Sequence, residues 1–412
     1  MELFSSNDSY KLYKGDMRNM LDVIQKESID TVLTDPPYEL NFMSKNWDNS
    51  GIAFQKETWE KCYEVLKPGG YLLAFGGSRT FHRIAVAIED AGFEIRDTIM
   101  WLYGSGFPKS LNIGLAIDKK NGVDNRTGNI KTDGKATNSG SGCYNCNNGK
   151  DNSMKQEYEE RIATNEWNGW GSSLKPSFEP IIVARKPFKG SLVDNVIEYG
   201  VGGINIDECR VDDKEGVKKI DIEENSASEN CGFGCNGKLE KLGIGRFPAN
   251  TIMTYNVDDY KEVCRGFKTK EDEYNARYFY CAKASKKDRD EGLDTFIEEK
   301  VNDGRQTPID NAFQRGETLR KNTHPTVKPT ELMQYLVRLV SPPNSTILDC
   351  FNGSGSTGKA VMYENKERNK NYKYIGIELT EEYLPIAKAR IEYVCNLEPE
   401  VNPQMSIFDY EE

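Results

Sequence analysis

The chain has 412 residues, 37% hydrophobic and 29% charged, and its 54 Lys and Arg against 65 Asp and Glu give a net charge of -11. That length exceeds one domain of roughly 100–200 residues and argues for two units, or for one core carrying a large insertion. No window approaches the roughly eighteen apolar residues of a membrane span, and the start lacks the basic and apolar regions of a secretion signal, so a cytoplasmic protein without membrane contact is expected.

The first hundred residues alternate strand and helix signals. Tyr10 to Tyr13 reads as a short strand, Met17 to Gln25 as a helical stretch, and Ile29 to Thr34 as a β-branched strand ended by Asp35-Pro36-Pro37-Tyr38. An amphipathic helix from Glu57 to Leu66 stops at Lys67-Pro68-Gly69-Gly70; a buried strand Tyr71 to Phe75, a helix Thr80 to Ala91 and a strand Phe93 to Leu102 follow. From about Asn121 to Trp170 the chain turns to Gly, Asn, Ser, Lys and Asp, as in an irregular insertion. A strand resumes at Ser177 to Arg185, and the stretch to about Asn322 shows no α/β alternation. The rhythm returns with a helix at Thr330 to Leu339, a strand at Thr346 to Leu348, a glycine turn, a helix, a strand at Tyr374 to Ile377 and a helix from Glu381 to Ile391. The expected fold is therefore α/β: one doubly wound, Rossmann-like sheet built from both ends of the chain around an irregular middle.

Two motifs carry chemistry. In Asp35-Pro36-Pro37-Tyr38 the prolines lock the backbone and remove two donors, leaving the Asp35 carboxylate and Pro36 carbonyl free to accept from an NH2 group while Tyr38 stacks on a planar ring. The bland alternative is a rigid proline turn. In Asp349-Cys350-Phe351-Asn352-Gly353-Ser354-Gly355-Ser356-Thr357-Gly358, a strand, a glycine turn and a helix start present main-chain N–H groups to a closely approaching ligand. Glu378 ends the next strand about 25 residues beyond Gly353, a spacing suited to ribose hydroxyls. Gly353 to Lys359 also reads G-x-x-x-x-G-K, but Ala360 stands where a phosphate-binding loop needs a hydroxyl for Mg²⁺.

Together these motifs resemble the amino-methylating DNA methyltransferases that use S-adenosylmethionine (SAM). The catalytic motif precedes the cofactor motif by about three hundred residues, the β-type order, a circular permutation within that family. His324-Pro325-Thr326-Val327-Lys328-Pro329 is similar to the family's additional SAM-side motif, and Lys14-Gly15-Asp16 also looks familial. Phe42-Met43 with Trp47-Asp48, Gly169-Trp170-Gly171, Glu179-Pro180 with Ala184-Arg185-Lys186-Pro187, and Gly245-Arg246-Phe247-Pro248 are similar to phage-type members. Cys350 and Asn352 depart mildly from the family pattern, without removing a glycine or an acid.

The resemblance implies a catalytic set of Asp35, Pro36, Pro37 and Tyr38, and a SAM set of Asp16 (near the adenine), Thr326, Lys328, Asp349, Phe351, Asn352, Gly353, Gly355, Thr357 and Glu378. It implies direct transfer to a base flipped from duplex DNA. Carbon-5 cytosine chemistry is disfavoured because none of the ten cysteines follows a proline. Asp at the first motif position leans toward adenine N6, with cytosine N4 the alternative. An RNA or protein amide methyltransferase is less favoured, since such relatives usually carry Asn there and the opposite motif order. A catalytically idle DNA-binding protein does not account for the intact Asp35 and glycines. The implied layout is a catalytic half at 1–120, an insertion at 121–176, a core strand at 177–190, a target-recognition region at 191–322 and a SAM half at 323–412. A homodimer and a restriction endonuclease partner are compatible with this class.

Basic clusters at Arg185-Lys186 with Lys189, at Lys283, Lys286, Lys287 and Arg289, and at Arg315 with Arg320-Lys321 are candidate phosphate contacts, or ordinary mixed-charge surface. The acid excess is compatible with such a local groove. Cys143 with Cys146 and Cys231 with Cys235 have the pairing of a four-cysteine zinc site, but their long separation and the lack of nearby histidine favour reduced thiols, and no metal is expected. Of the two histidines, His82 reads as structural.

Overall fold

The computed structural model describes residues 1–40, 50–103, 110–123, 162–211, 247–253, 279–301 and 318–397, with the backbone of short strands at 131–135, 155–157, 218–221 and 238–241. Residues 1–102 and 179–412 form one compact unit and 103–178 a second.

The first unit holds a ten-stranded sheet. Its strands in chain order are β1 (Glu2–Ser6), β2 (Tyr10–Lys14), β3 (Ile29–Thr34), β4 (Leu66–Phe75), β5 (Glu94–Leu102), β6 (Phe178–Arg185), β7 (Thr251–Met253), β8 (Phe279–Tyr280), β9 (Thr346–Asp349) and β10 (Lys373–Glu378). Across the sheet the order is β1-β2-β10-β9-β3-β4-β6-β5-β7-β8. From β2 to β4 every pairing is parallel, so strands from the two ends of the chain lie side by side, with Leu348 of β9 opposite Val32 of β3.

Helices cover both faces. Successive strand residues point to opposite sides, and the core divides accordingly. Val32, Leu72 and Leu348 pack with Trp59, Cys62 and Val65 of α1 (Lys56–Val65) and Ile84, Ala87 and Ile88 of α2 (Phe81–Asp90). Leu33, Leu73 and Ile347 pack with Leu332, Leu336 and Val340 of Thr330–Val340, Val361 of Ser356–Arg368 and Ile391 of Leu384–Cys395. The chain leaves β9 and β3 in opposite directions across the sheet, toward β10 and toward β4, and the carboxyl ends of such a pair flank a crevice where ligands bind.

Several expectations change in detail. Lys67 to Gly70 does not interrupt structure but lies within β4, because a register shift against β3 absorbs the extra residues. Gly69 adopts φ +80 there, and Gly69 and Gly70 exchange main-chain bonds with Lys186. Met17 begins a 3-10 turn, Met17–Asp22, capped by Asp16. The last helix starts after a 3-10 turn, with a proline in its first turn where a missing N–H is harmless. β6 runs antiparallel to β4, whereas β4 is parallel to β3. His82 is exposed, on the face of α2 opposite its buried residues, and is not part of the core.

The second unit centres on the helix Ile113–Lys120, capped by the Asn112 side chain. Asp118, only 2% exposed, accepts from the Thr164 main chain and hydroxyl and from the Asn165 amide, fixing the following loop. Trp167 and Trp170 meet edge to face on its surface.

Candidate active site

β3 is buried along its whole length and delivers Asp35 to the carboxyl edge of the sheet. Pro36 is buried, Tyr38 is half-buried, and the Thr80 hydroxyl donates to the Tyr38 carbonyl at 2.8 Å. The Lys328 ammonium lies 2.5 Å from Asp35 Oδ2, 3.1 Å from Tyr38 Oη and 3.5 Å from Glu179 Oε2. Tyr38 donates its hydroxyl to Glu179 at 3.0 Å. Asp35 Oδ1 is buried with no hydrogen-bond partner among the described residues. Burial raises the Asp35 pKa against the pull of Lys328, and Glu179 raises it further. Burial pushes Lys328 down, but its two carboxylate neighbours outweigh this and hold it protonated.

One strand over, Asp349 ends β9. Its carboxylate accepts from Thr34 Oγ1 at 2.7 Å, Thr357 Oγ1 at 2.6 Å and the Phe351 main chain at 3.1 Å. Burial raises its pKa to about 6, with the two hydroxyls opposing. Asp349 thus bolts the glycine loop to β3 one residue before Asp35. Asn352 is also spent internally, accepting from Tyr374 Oη at 2.7 Å and donating to the Gly353 carbonyl at 3.0 Å.

Gly353 and Gly355 have φ of +52 and +74, which only glycine adopts readily. A Cβ on Gly353 would stand 2.8 Å from His324 Nε2. Glu378 closes the loop from β10, accepting from Gly353 N and Thr380 N, each at 2.7 Å. Burial raises its pKa and these donors oppose the rise. Gly15 donates to the Glu378 carbonyl, which brings Asp16 alongside. Asp16 pairs with Arg18, which lowers its pKa. Phe351 is half-buried and Thr326 exposed.

The structure therefore assembles the two motifs at adjacent strand ends, with one displacement. Lys328, expected on the SAM side, has its ammonium on the Asp35 cluster. Lys359, the lysine of the P-loop-like string, is fully buried between Asp288 and Glu291 and reaches no ligand surface. Arg185 and Lys186 are not phosphate contacts: both are buried, Arg185 on Glu94 and Lys186 on Glu27 and the Leu66 carbonyl. Cys143, Cys146, Cys231 and Cys235, Phe42-Met43, Trp47-Asp48, Gly245-Arg246 and Arg315 lie outside the described residues. Among the described residues no His, Cys, Asp and Glu group suits a metal, and five cysteines are free thiols.

Glu179 was visible as a familial residue but not as a site residue. It reaches Tyr38 because β6 runs antiparallel to β4, which brings its first residues to the carboxyl edge. An acid opening an otherwise apolar strand was the available signal.

An α/β sheet with a glycine loop and an acceptor corner at its switch point defines a nucleoside-binding enzyme class. More specifically, a family model described as DNA methylase matches residues 29–389, and the chain belongs to that N6/N4 family. S-adenosylmethionine is the family's cofactor, and the left-handed glycines of the turn beside the Glu378 carboxylate fit a closely approaching nucleoside, although Gly353 N donates to Glu378 and Gly355 N to the Asn352 carbonyl. Type II methyltransferase M.HindIII of Haemophilus influenzae is 26% identical over 153 residues, 36% of this chain and 37% of that protein. M.HpaI of Haemophilus parainfluenzae is 34% identical over 93 residues, 21% of this chain and 30% of that protein. The chain thus spans about a third of the length of these curated relatives. Among solved structures, the PvuII cytosine-N4-specific DNA methyltransferase aligns over 98% of this chain and 92% of its own at 12% identity, TM-score 0.44. The M1.HpyAVI–SAM complex aligns over 93% and 99% at 15% identity, TM-score 0.38. No helix among the described residues is long and apolar enough to cross a membrane.

Proposed function

We propose that the protein methylates the exocyclic N6 of adenine in duplex DNA, on a base swung out of the helix into the corner formed by Asp35, Pro36, Pro37 and Tyr38. The observation that carries this reading is Asp35 Oδ1, a buried carboxylate oxygen without a hydrogen-bond donor among the described residues. Leaving such an acceptor bare costs about 1–3 kcal/mol, so a ligand N–H is favoured there. Asp35 and the Pro36 carbonyl accept the two amine hydrogens, and the nitrogen lone pair is turned away from both acceptors. Tyr38 offers its ring to the base. SAM, when bound, supplies an electrophilic methyl group. Asp16, Phe351, Glu378 and Thr326 would hold it against the turn from Asn352 to Gly355, while Asp349 and Thr357 shape that turn. As the amine gains the methyl it loses a proton, which Asp35 is placed to take.

The Asp at the first position supports adenine over cytosine. Residues 1–102 and 323–412, with β6, β7 and β8, form the catalytic core, and the rest of 191–322 reads the target sequence. The test is transfer from labelled SAM to mixed-sequence duplex DNA, followed by nucleoside mass spectrometry. N6-methyladenine is expected; N4-methylcytosine alone would reverse the base assignment. Asp35→Ala should lower turnover at least ~10²-fold while SAM binding stays within a few fold, and unchanged turnover would remove its role.

A further inference from the structure

We propose that Lys328 and Glu179 are a positioning pair for Asp35: the Lys328 ammonium occupies Oδ2 and so presents Oδ1, ionised and bare, to the target amine. This deepens the methyl-transfer reading and rests on it. An ammonium has three N–H bonds. Two of those on Lys328 donate to Asp35 at 2.5 Å and Tyr38 at 3.1 Å, and the Glu179 carboxylate lies 3.5 Å away as an ion-pair partner. The side chain is 7% exposed, and its ammonium also lies 4.8 Å from the Phe75 ring centre and 5.3 Å from that of Tyr38. A lysine so enclosed has its ammonium committed to the Asp35 corner.

Glu179 completes the pair. It pairs with Lys328 and takes the Tyr38 hydroxyl, tying the aromatic ring and the ammonium together. The charged and titratable groups acting on this cluster are Lys328 from the turn before Thr330–Val340, His324 from the same turn, Glu179 from β6, Tyr38 from the turn itself, Asp349 from β9 and the exposed Lys283. Lys328 favours the Asp35 carboxylate, whereas Glu179 and burial favour its protonated form. Removing either partner must therefore move Asp35 in opposite directions, which a merely structural role would not do.

The experiment measures kcat, KM for SAM and KM for DNA between pH 5 and 9 for the full chain and for Lys328→Met, Lys328→Arg and Glu179→Gln, with SAM affinity by calorimetry. Lys328→Met should lower kcat at least ~10²-fold and move the acid limb up by about one pH unit or more, with SAM affinity within threefold. Glu179→Gln should move the limb down, and Lys328→Arg should return it toward the wild-type position. A tenfold loss of SAM affinity in Lys328→Met with an unmoved limb would make Lys328 a cofactor ligand and overturn the proposal. If Lys328→Met does not fold, Glu179→Gln decides alone, and an upward or unmoved limb overturns it. Isotope-edited infrared titration of the Asp35 carboxylate, without DNA, reads the same opposite shifts. Should those shifts appear while no DNA is methylated, the pair stands and the functional reading fails.

Discussion

His324 lies against the glycine loop, its ring 4.5 Å from that of Tyr383 and its Nε2 close to where a Gly353 side chain would be. Burial, with the cations Lys328, Arg289 and Arg390, lowers its pKa to about 3. Its folded pKa is thus below the unfolded value of about 6.5. The neutral ring contributes stability that is fully present above pH ~6.5 and is lost as pH falls toward 3, because only the unfolded chain takes up the proton. In urea denaturation, the stability advantage of wild type over His324→Asn should shrink by about 2 kcal/mol between pH 7 and 4.5. A constant difference across that range would show that the ring titrates alike in both states. Asp35 and Glu378 were legible as strand-end acids because each ends a β-branched or apolar run. The destination of Lys328 was not legible, since it depends on how the turn after His324 folds over β3.

Gly358 shows how packing overrides helix propensity at the scale of one element. It lies in the buried first half of the helix Ser356–Arg368. Alanine there would ordinarily stabilise by ~1 kcal/mol. Its Cβ would stand 2.5 Å from both Ile391 Cδ1 and Tyr374 Cε1. The isoleucine tip can turn aside, but Tyr374 is held by its hydroxyl on Asn352 and cannot move without disturbing the glycine loop. Gly358→Ala should therefore destabilise by about 1–3 kcal/mol in urea denaturation and weaken SAM binding in calorimetry. Gly203→Ala, with nothing within 4 Å of its Cβ, is the control and should stay within ~0.5 kcal/mol. A stabilised Gly358→Ala protein would mean that the two helices separate there. The buried strands were readable as apolar runs for the same reason that they pack on both faces. β1 was not, because its five residues are mostly exposed and polar, and β7 and β8 are too short to carry a pattern. The direction of β6 is set by its neighbours and has no signature in its own residues.

At the scale of the molecule, the sheet joins residues about three hundred positions apart, and a buried ionic network fastens part of the middle segment to that core. Lys359 is fully buried, with Asp288 at 2.8 Å and Glu291 at 2.7 Å. Asp288 also accepts from the Thr330 main chain, and Arg390 donates to the carbonyls of Ser354 and Asp288. Burial would raise the Asp288 pKa, but Lys359 and Thr330 hold it below the usual range. None of this was legible in the sequence, where 286–291 looks like solvated mixed charge and nothing marks Lys359 as a buried partner for it. The net charge of -11 is equally silent about which ions are buried. Lys359→Met removes one cation from between two acids that each keep about a fifth of their exposure. Water can reach those acids, so the loss should be about 3 kcal/mol, the low end for a broken buried pair. Combining Lys359→Met with Asp288→Asn and Glu291→Gln removes the stranded charges, while the amide oxygen introduced by Asp288→Asn can still accept from Thr330. Most of the lost stability should then return, as it does when a whole buried ionic group is replaced. If the triple variant is no more stable than Lys359→Met in urea denaturation, the penalty comes from lost packing around the lysine stem, and charge burial is not what holds this segment to the sheet.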